Sequence, residues 1–235
     1  MTGNSVALIT GAGRGIGRAV AVELAAAGHR LGLMARTRRE LEETASLAGG
    51  GLVLEGDVTR PEQIERSIVK LTETYNRLDA IIHCAGLAPV RSIEQMSVQE
   101  WRAVIDTNLS AAFYLCRVAW PIFRKQGGGV VVNVSSEAAR DPFDGFAAYG
   151  AAKAALNLFG MSAAREGEAI GVRVHTIAPG AVETGMLRAI VDERQVPAHQ
   201  VLSPRDVAKL IVRCVTGELC YTSGEVIYLH KVLHL

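Results

Sequence analysis

The chain has 235 residues, 49% hydrophobic and 21% charged, the composition of a packed globular protein rather than a disordered one. Its 25 basic and 24 acidic residues leave a formal charge of +1, so no strong field favours nucleic acid or an anionic membrane as partner. No apolar run approaches the ~18 residues a membrane helix needs, and Met1 to Ser5 carry no basic segment leading into an apolar one, as a secretory signal would.

Short apolar runs alternate along the chain with longer stretches of helical period. Residues 6–9 read as a strand and 17–27 as a helix; 30–35 follow as a strand and 38–47 as a charged helix. Leu52 to Leu54 form a third strand, and 61–75 a helix with Thr59 as candidate N-cap and Pro61 in its first turn. Strands are expected at 79–85, 129–135, 172–177 and 225–229, and helices within 98–126 and over 147–168 and 204–215. Strands without polar alternation are buried on both faces, as in a parallel sheet covered by helices on each side. Right-handed β-α-β crossovers then make an α/β, Rossmann-type doubly wound sheet of about seven strands. No linker or repeat divides the chain, so residues 1–235 are expected to form a single domain. Residues 180–203 are the longest irregular stretch and the expected substrate loop.

The first strand runs directly into Thr10, Gly11, Ala12, Gly13, Arg14, Gly15, Ile16 and Gly17 and then into a helix. Glycines at such a turn let the backbone approach a pyrophosphate, and the helix N-terminus offers free N–H donors and a favourable dipole. A dinucleotide site is the expected result. The cysteines Cys84, Cys116, Cys214 and Cys220 are scattered, most of them in apolar surroundings, and fit no metal-knuckle spacing. Reduced, buried thiols and a cytoplasmic location are the expectation. His230 and His234 near the C-terminus lack the carboxylate or cysteine support of a metal site, and no metal is expected.

The spacing of Thr10, Gly11, Gly15, Ile16 and Gly17 resembles the Thr-Gly-x-x-x-Gly-Ile-Gly motif of the short-chain dehydrogenase/reductase family. The resemblance continues through Asp57-Val58, similar to the family's adenine-contacting pair, and Ala85-Gly86, similar to the end of its Asn-Asn-Ala-Gly motif. His83 and Cys84 replace both asparagines of that motif. Asn108 falls at the catalytic asparagine, Tyr149 and Lys153 form the Tyr-x-x-x-Lys signature, and Pro179, Gly180, Val182 and Thr184 match Pro-Gly-x-Val-x-Thr.

The chemistry of those residue types is coherent. Hydride transfer to a carbonyl creates an alkoxide that needs a proton and a stabilising donor. Lys153 lies four residues beyond Tyr149, on the same face of a helix, where an ammonium favours the phenolate and moves the tyrosine towards a useful pKa. The resemblance implies Tyr149 as acid/base, Ser136 as stabiliser of the substrate oxygen, Lys153 as tuner and ribose ligand, and Asn108 as holder of a water. Ser135 competes with Ser136; the family's usual serine–tyrosine interval selects Ser136.

An acidic residue at the end of the second strand would bind the ribose 2′-hydroxyl of NAD. This chain has Arg36 there, with Arg14 in the glycine-rich turn, and a guanidinium suits a 2′-phosphate. NADP(H) is therefore the expected cofactor. The resemblance is greatest to 3-oxoacyl-[acyl-carrier-protein] reductases, which implies a small or carrier-bound carbonyl substrate and a homodimer or homotetramer. The basic residue that helps dock the carrier in those enzymes is Ile170 here, and the tail 228–235 departs from their usual closure. A non-catalytic NADP(H)-binding regulator on the same fold is the alternative reading.

Overall fold

The computed structural model describes residues 5–231. Seven strands, β1 (Val6–Thr10), β2 (Arg30–Ala35), β3 (Leu52–Glu55), β4 (Ala80–His83), β5 (Gly129–Val134), β6 (Val172–Pro179) and β7 (Val226–Leu229), form one sheet in the order β3-β2-β1-β4-β5-β6-β7. Every pairing is parallel. Around it lie α1 (Gly15–Ala26), α2 (Arg38–Leu47), α3 (Pro61–Tyr75), α4 (Val98–Ile105), α5 (Ala111–Gln126), α6 (Ala147–Glu168), the short α7 (Gly185–Arg188) and α8 (Pro204–Thr216).

Alternation along the strands explains the two covered faces. Ala7 and Ile9 of β1 join a core with Val20 and Leu24 of α1 and Val207 and Ile211 of α8. Val6 and Leu8 face the other way, into a core with Ile64 and Ile68 of α3 and Leu115 and Phe123 of α5. A strand with no polar alternation is thus satisfied on both sides. The strand order reverses between β1 and β4, so the turns leaving those two strands diverge and open a crevice at their carboxyl ends.

Several boundaries differ from the sequence reading. Helix α1 begins at Gly15, placing both Gly15 and Gly17 in its first turn. Arg60, not Thr59, is the N-cap of α3, because the Thr59 hydroxyl and amide are both taken by the Asp57 carboxylate at 2.9 Å. Residues 98–126 are two helices joined by a π-helical turn, Asp106–Ser110. The stretch 180–203 is not wholly irregular: it holds α7 and a 3₁₀ turn (Ala198–Gln200), and an isolated bridge between Val182 and Leu202 pinches its ends together.

Candidate active site

The glycine-rich turn is shaped for close approach. Gly11 has φ +63° and Gly15 φ +55°, and a Cβ on Gly11 would stand 2.8 Å from the Ala85 amide nitrogen. A Cβ on Gly17 would collide with the Gly11 carbonyl. Below the turn, the buried Thr44 hydroxyl donates to the Ala12 carbonyl at 2.9 Å, and Arg18 donates to the Gly13 carbonyl. The α1 N-terminus is left with Arg14 as an N-cap that makes no side-chain hydrogen bond, so the first-turn N–H groups face the crevice.

That crevice is a cleft of about 840 Å³. Gly11, Arg14, Gly15, Ile16, Gly17, Arg36, Asp57, Val58, Ala85, Gly86, Ser136, Tyr149, Lys153, Pro179, Gly180, Val182 and Thr184 all line it. The loop side reaches the glycine turn directly, since a Cβ on Gly15 would meet the Thr184 methyl at 3.4 Å. Of the residues expected at the site, only Asn108 is set back from the wall.

Three side chains gather at the inner end. Tyr149 and Lys153 lie on one face of α6, with the Lys153 ammonium 5.6 Å from the Tyr149 ring centre. Lys153 is 2% exposed and donates from Nζ to the Val134 carbonyl at 2.7 Å. Tyr149 faces Ser136 across the cleft wall that both line, near enough for the serine hydroxyl to act on the phenol. The Ser136 Oγ accepts from the Ala138 amide at 3.1 Å, which leaves its hydroxyl hydrogen free to donate. Ser135 points elsewhere and donates to the Lys153 carbonyl at 3.3 Å, so the geometry separates the two serines.

Asn108 is fully buried in the π-helical turn. Its Nδ2 donates to the carbonyls of Leu87 at 2.8 Å and Val104 at 2.9 Å, and its Oδ1 accepts from the Leu87 amide at 3.3 Å. Both amide hydrogens are occupied. Any water it governs must be held by the remaining Oδ1 lone pair or by a main-chain carbonyl that the π turn frees from the helical ladder.

The electrostatics depart from expectation at Tyr149. Burial raises its pKa, opposed by the Ser136 hydroxyl, rather than lowering it. The lysine charge is engaged at Val134 instead of at the phenol. Burial brings Lys153 itself down to about 8, with the Cys84 side chain acting in the opposite direction. Cys84 lines the cleft, its thiol pushed up to about 12 by burial.

Glu40, Glu137 and His230 also line the cleft, with contacts the sequence reading did not assign to them. Glu40 of α2 stands against Gly13, where a Cβ would be 2.9 Å from its Oε2, close to Arg14 and Arg36 in the same cleft. Glu137, directly after Ser136, pairs with Arg140 at 2.7 Å. His230 is 3.2 Å from the other Glu137 oxygen, while Arg140 stacks 3.7 Å over the Tyr228 ring. The unusual tail therefore locks onto the serine loop; His234 lies outside the described residues. Position directly after Ser136 was the available signal for the contacts of Glu137. The other two depend on long-range packing.

A seven-stranded parallel sheet with a glycine turn at its switch point and a Ser-Tyr-Lys group beside it defines a dinucleotide-dependent oxidoreductase. Residues 5–195 match the family model for short chain dehydrogenases, and the chain belongs to that family. The 3-oxoacyl-[acyl-carrier-protein] reductase of Escherichia coli (strain K12) is 32% identical over 239 residues, covering 98% of this chain and 97% of the relative. The acetoacetyl-CoA reductase of Shinella zoogloeoides is 31% identical over 229 residues, covering 94% and 95%. Among solved structures, levodione reductase matches with a TM-score of 0.91 at 26% identity, covering 97% of this chain and 96% of that one. A short-chain type dehydrogenase/reductase from Mycobacterium ulcerans matches with a TM-score of 0.88 at 28% identity, covering 96% and 88%.

Proposed function

We propose that this chain is an NADPH-dependent reductase that converts a carbonyl, a 3-oxoacyl thioester or a small ketone or aldehyde, to an alcohol. The observation that carries this reading is the grouping of Ser136, Tyr149 and Lys153 on the wall of the glycine-turn cleft, with Tyr149 and Lys153 on one face of the same helix. The chain fits the cofactor: Gly11 and Gly17 exclude a Cβ, the first turn of α1 presents N–H donors, and Arg14 and Arg36 flank the pocket where a 2′-phosphate would lie. Asp57 spends one carboxylate oxygen on Thr59 and keeps the other for an adenine amine, beside Val58. Bound NADPH supplies the hydride.

The protein's residues supply the rest. Ser136 donates its free hydroxyl hydrogen to the substrate oxygen, and Tyr149 delivers a proton to that oxygen as charge develops there. A phenol held protonated by burial is a suitable donor for reduction. Lys153 spends one N–H on Val134 and retains two, for the cofactor ribose and for a water governed by Asn108.

The wall beyond the serine is apolar, built by Val90, Phe143, Phe146, Met186, Leu187 and Ile190, which suits an aliphatic or ring substrate. The curated relatives named for acyl-thioester reduction support the 3-oxoacyl class. Ile170, by contrast, packs on the core and offers no charge to an acidic carrier, so coenzyme A thioesters and free carbonyls are favoured over carrier-bound ones. We read the chain as one cytoplasmic domain acting as a homo-oligomer; among the described residues no helix is long and apolar enough to cross a membrane.

The test is turnover of purified protein on a panel of 3-oxoacyl-coenzyme A esters and ketones, with NADPH and NADH in parallel and Tyr149→Phe as control. NADPH-dependent turnover lost in Tyr149→Phe supports the reading. NADPH binding without turnover on any substrate would favour the non-catalytic regulator.

A further inference from the structure

The face of the sheet beneath α5 and α6 ends in a polar row. Residues paired across it in register are Thr10 of β1, His83 of β4, Asn133 of β5 and Thr176 of β6. One step earlier on the same face the row is apolar throughout: Leu8, Ile81, Val131 and Val174. The four polar side chains are 0%, 1%, 0% and 2% exposed. Such complete burial of adjacent polar groups is costly unless each finds a partner.

Only part of the row is satisfied by protein. The His83 Nδ1 lies 3.0 Å from the Thr10 hydroxyl, whose oxygen also accepts from the Ala85 amide at 3.3 Å. The His83 Nε2 and both amide atoms of Asn133 are buried with no hydrogen-bond partner among the described residues. The Thr107 backbone, next to Asn108 in the π-helical turn, approaches the His83 ring without reaching hydrogen-bond geometry. Asn133 is the register partner of both His83 and Thr176, and a Cβ on Gly160 of α6 would sit 3.6 Å from its Nδ2. Strand neighbours lie ~4.8 Å apart, a separation that one water can bridge. Lys153 is close enough to His83 for its charge to act on the ring, and its own bond to Val134 adjoins Asn133.

We propose that His83 and Asn133 hold ordered water between them beneath Lys153, and that His83 thereby acts as a positioning residue for Lys153, whose ammonium that water helps to solvate. The imidazole accepts or donates at Nε2 to that water while Nδ1 holds Thr10, so one ring links the end of β1, which leads into the glycine turn, to the water beneath the catalytic lysine. This rests on Lys153 being catalytic, as argued above. It concerns a residue that departs from the family motif, where His83 stands in place of an asparagine.

Two measurements test it. A high-resolution crystal structure of the wild-type protein should show water within hydrogen-bond distance of His83 Nε2 and an Asn133 amide atom; a dry contact there overturns the proposal whatever the activity. In kinetics, His83→Leu should lower kcat tenfold or more, towards the ~100-fold loss that ångström-scale misplacement can cause, while leaving KM for NADPH within about twofold. It should also move the alkaline limb of the kcat–pH profile to lower pH, because Lys153 loses solvation. His83→Asn, which keeps one amide atom for the Thr10 hydroxyl and leaves room for a further water where the far edge of the ring stood, should restore kcat and the profile. Asn133→Leu should reproduce the His83→Leu profile, and the double variant should be no worse than either. A His83→Leu enzyme with an unshifted profile, or His83→Asn no better than His83→Leu, overturns it. Failure of the Tyr149→Phe control to lose turnover would sink the catalytic reading itself, leaving the crystallographic test of the water intact.

Discussion

Ser135 and Ser136 are neighbours in sequence with opposite duties, and their hydrogen bonds make a sharp forecast. Ser136→Ala removes the donor beside Tyr149 and should cut kcat by ~100-fold, the usual cost of one donor to a developing oxyanion. Ser135→Ala removes a buried bond to the Lys153 carbonyl and should cost on the order of 1 kcal/mol in stability with kcat within a few fold. Steady-state kinetics and thermal melts on the two variants separate the roles. Lys153 adds a pH dependence. Burial brings it down to about 8, so the ammonium to which we assign a role in the reaction is present below that pH and lost above it. Reductive kcat should fall as pH rises through about 8; a profile flat to pH 9.5 would contradict that. Arg36 and Glu40 share the cleft, and on the proposed reading they govern the cofactor preference. Arg36→Ala should lower kcat/KM for NADPH by about tenfold, ~1.4 kcal/mol, and leave that for NADH nearly unchanged. Glu40→Gln should shift the ratio the other way, since its carboxylate shares the cleft with both arginines.

At the scale of elements, legibility followed how local the cause was. Helices α2, α3 and α6 and strand β2 begin and end where periodicity and apolar runs place them, because each pattern is complete within its own segment. Helix α1 was read as starting two residues late, since glycine lowers helical propensity and the stabilising packing of Gly17 against Gly11 is tertiary. The π turn at Asp106–Ser110 was not legible at all: it follows from the Asn108 side chain bonding to Leu87 and Val104, and Leu87 comes from a distant loop. The same holds for the site. Tyr149 and Lys153 were legible as a helical pair, and Gly11, Gly15 and Gly17 as a turn. The contacts of Glu40, the lock of His230 on Glu137, and the engagement of Lys153 with Val134 depend on elements meeting across the sheet. Gly17→Ala tests the turn as a unit. Its methyl would collide with the Gly11 carbonyl, so NADPH affinity measured by fluorescence titration should drop tenfold or more, ~1.4 kcal/mol.

For the whole molecule, pH and surface both yield expectations. His83 and His175 are held neutral by burial, down to about 3 and about 4 from 6.5, the nearby Lys153 and Arg173 charges acting in the same direction. In the unfolded chain both accept protons below pH 6.5. Stability contributed by their neutrality is therefore complete above about pH 6.5 and is lost as pH falls towards 4 and 3. The melting temperature should drop steeply between pH 6 and 4, about 1.4 kcal/mol per unit for each histidine within its window. On the surface, Trp101 and Phe113 of α4 and α5 and Leu158 and Met161 of α6 are 42%, 49%, 64% and 40% exposed. Large apolar side chains left uncovered on those helices suit self-association. Phe113→Asp with Leu158→Asp should convert an oligomer to monomer in sedimentation velocity; a wild-type monomer would remove that assignment.

The bridge between Val182 and Leu202 has a further effect on how this enzyme can change. It closes the segment that walls the substrate side into a cassette whose two ends meet, anchored by Glu183 to Leu202 through a main-chain bond of 2.8 Å. The entropy of closing such a cassette grows only slowly with its length. Residues 185–201, beyond the Thr184 contact with Gly15, can therefore be lengthened, shortened or exchanged with a relative's while the glycine turn keeps its shape. What the enzyme reduces and which nucleotide it spends are thus separable traits, open to independent selection. A chimaera carrying a foreign cassette should change its ranking of ketones yet retain the parent's ratio of NADPH to NADH efficiency.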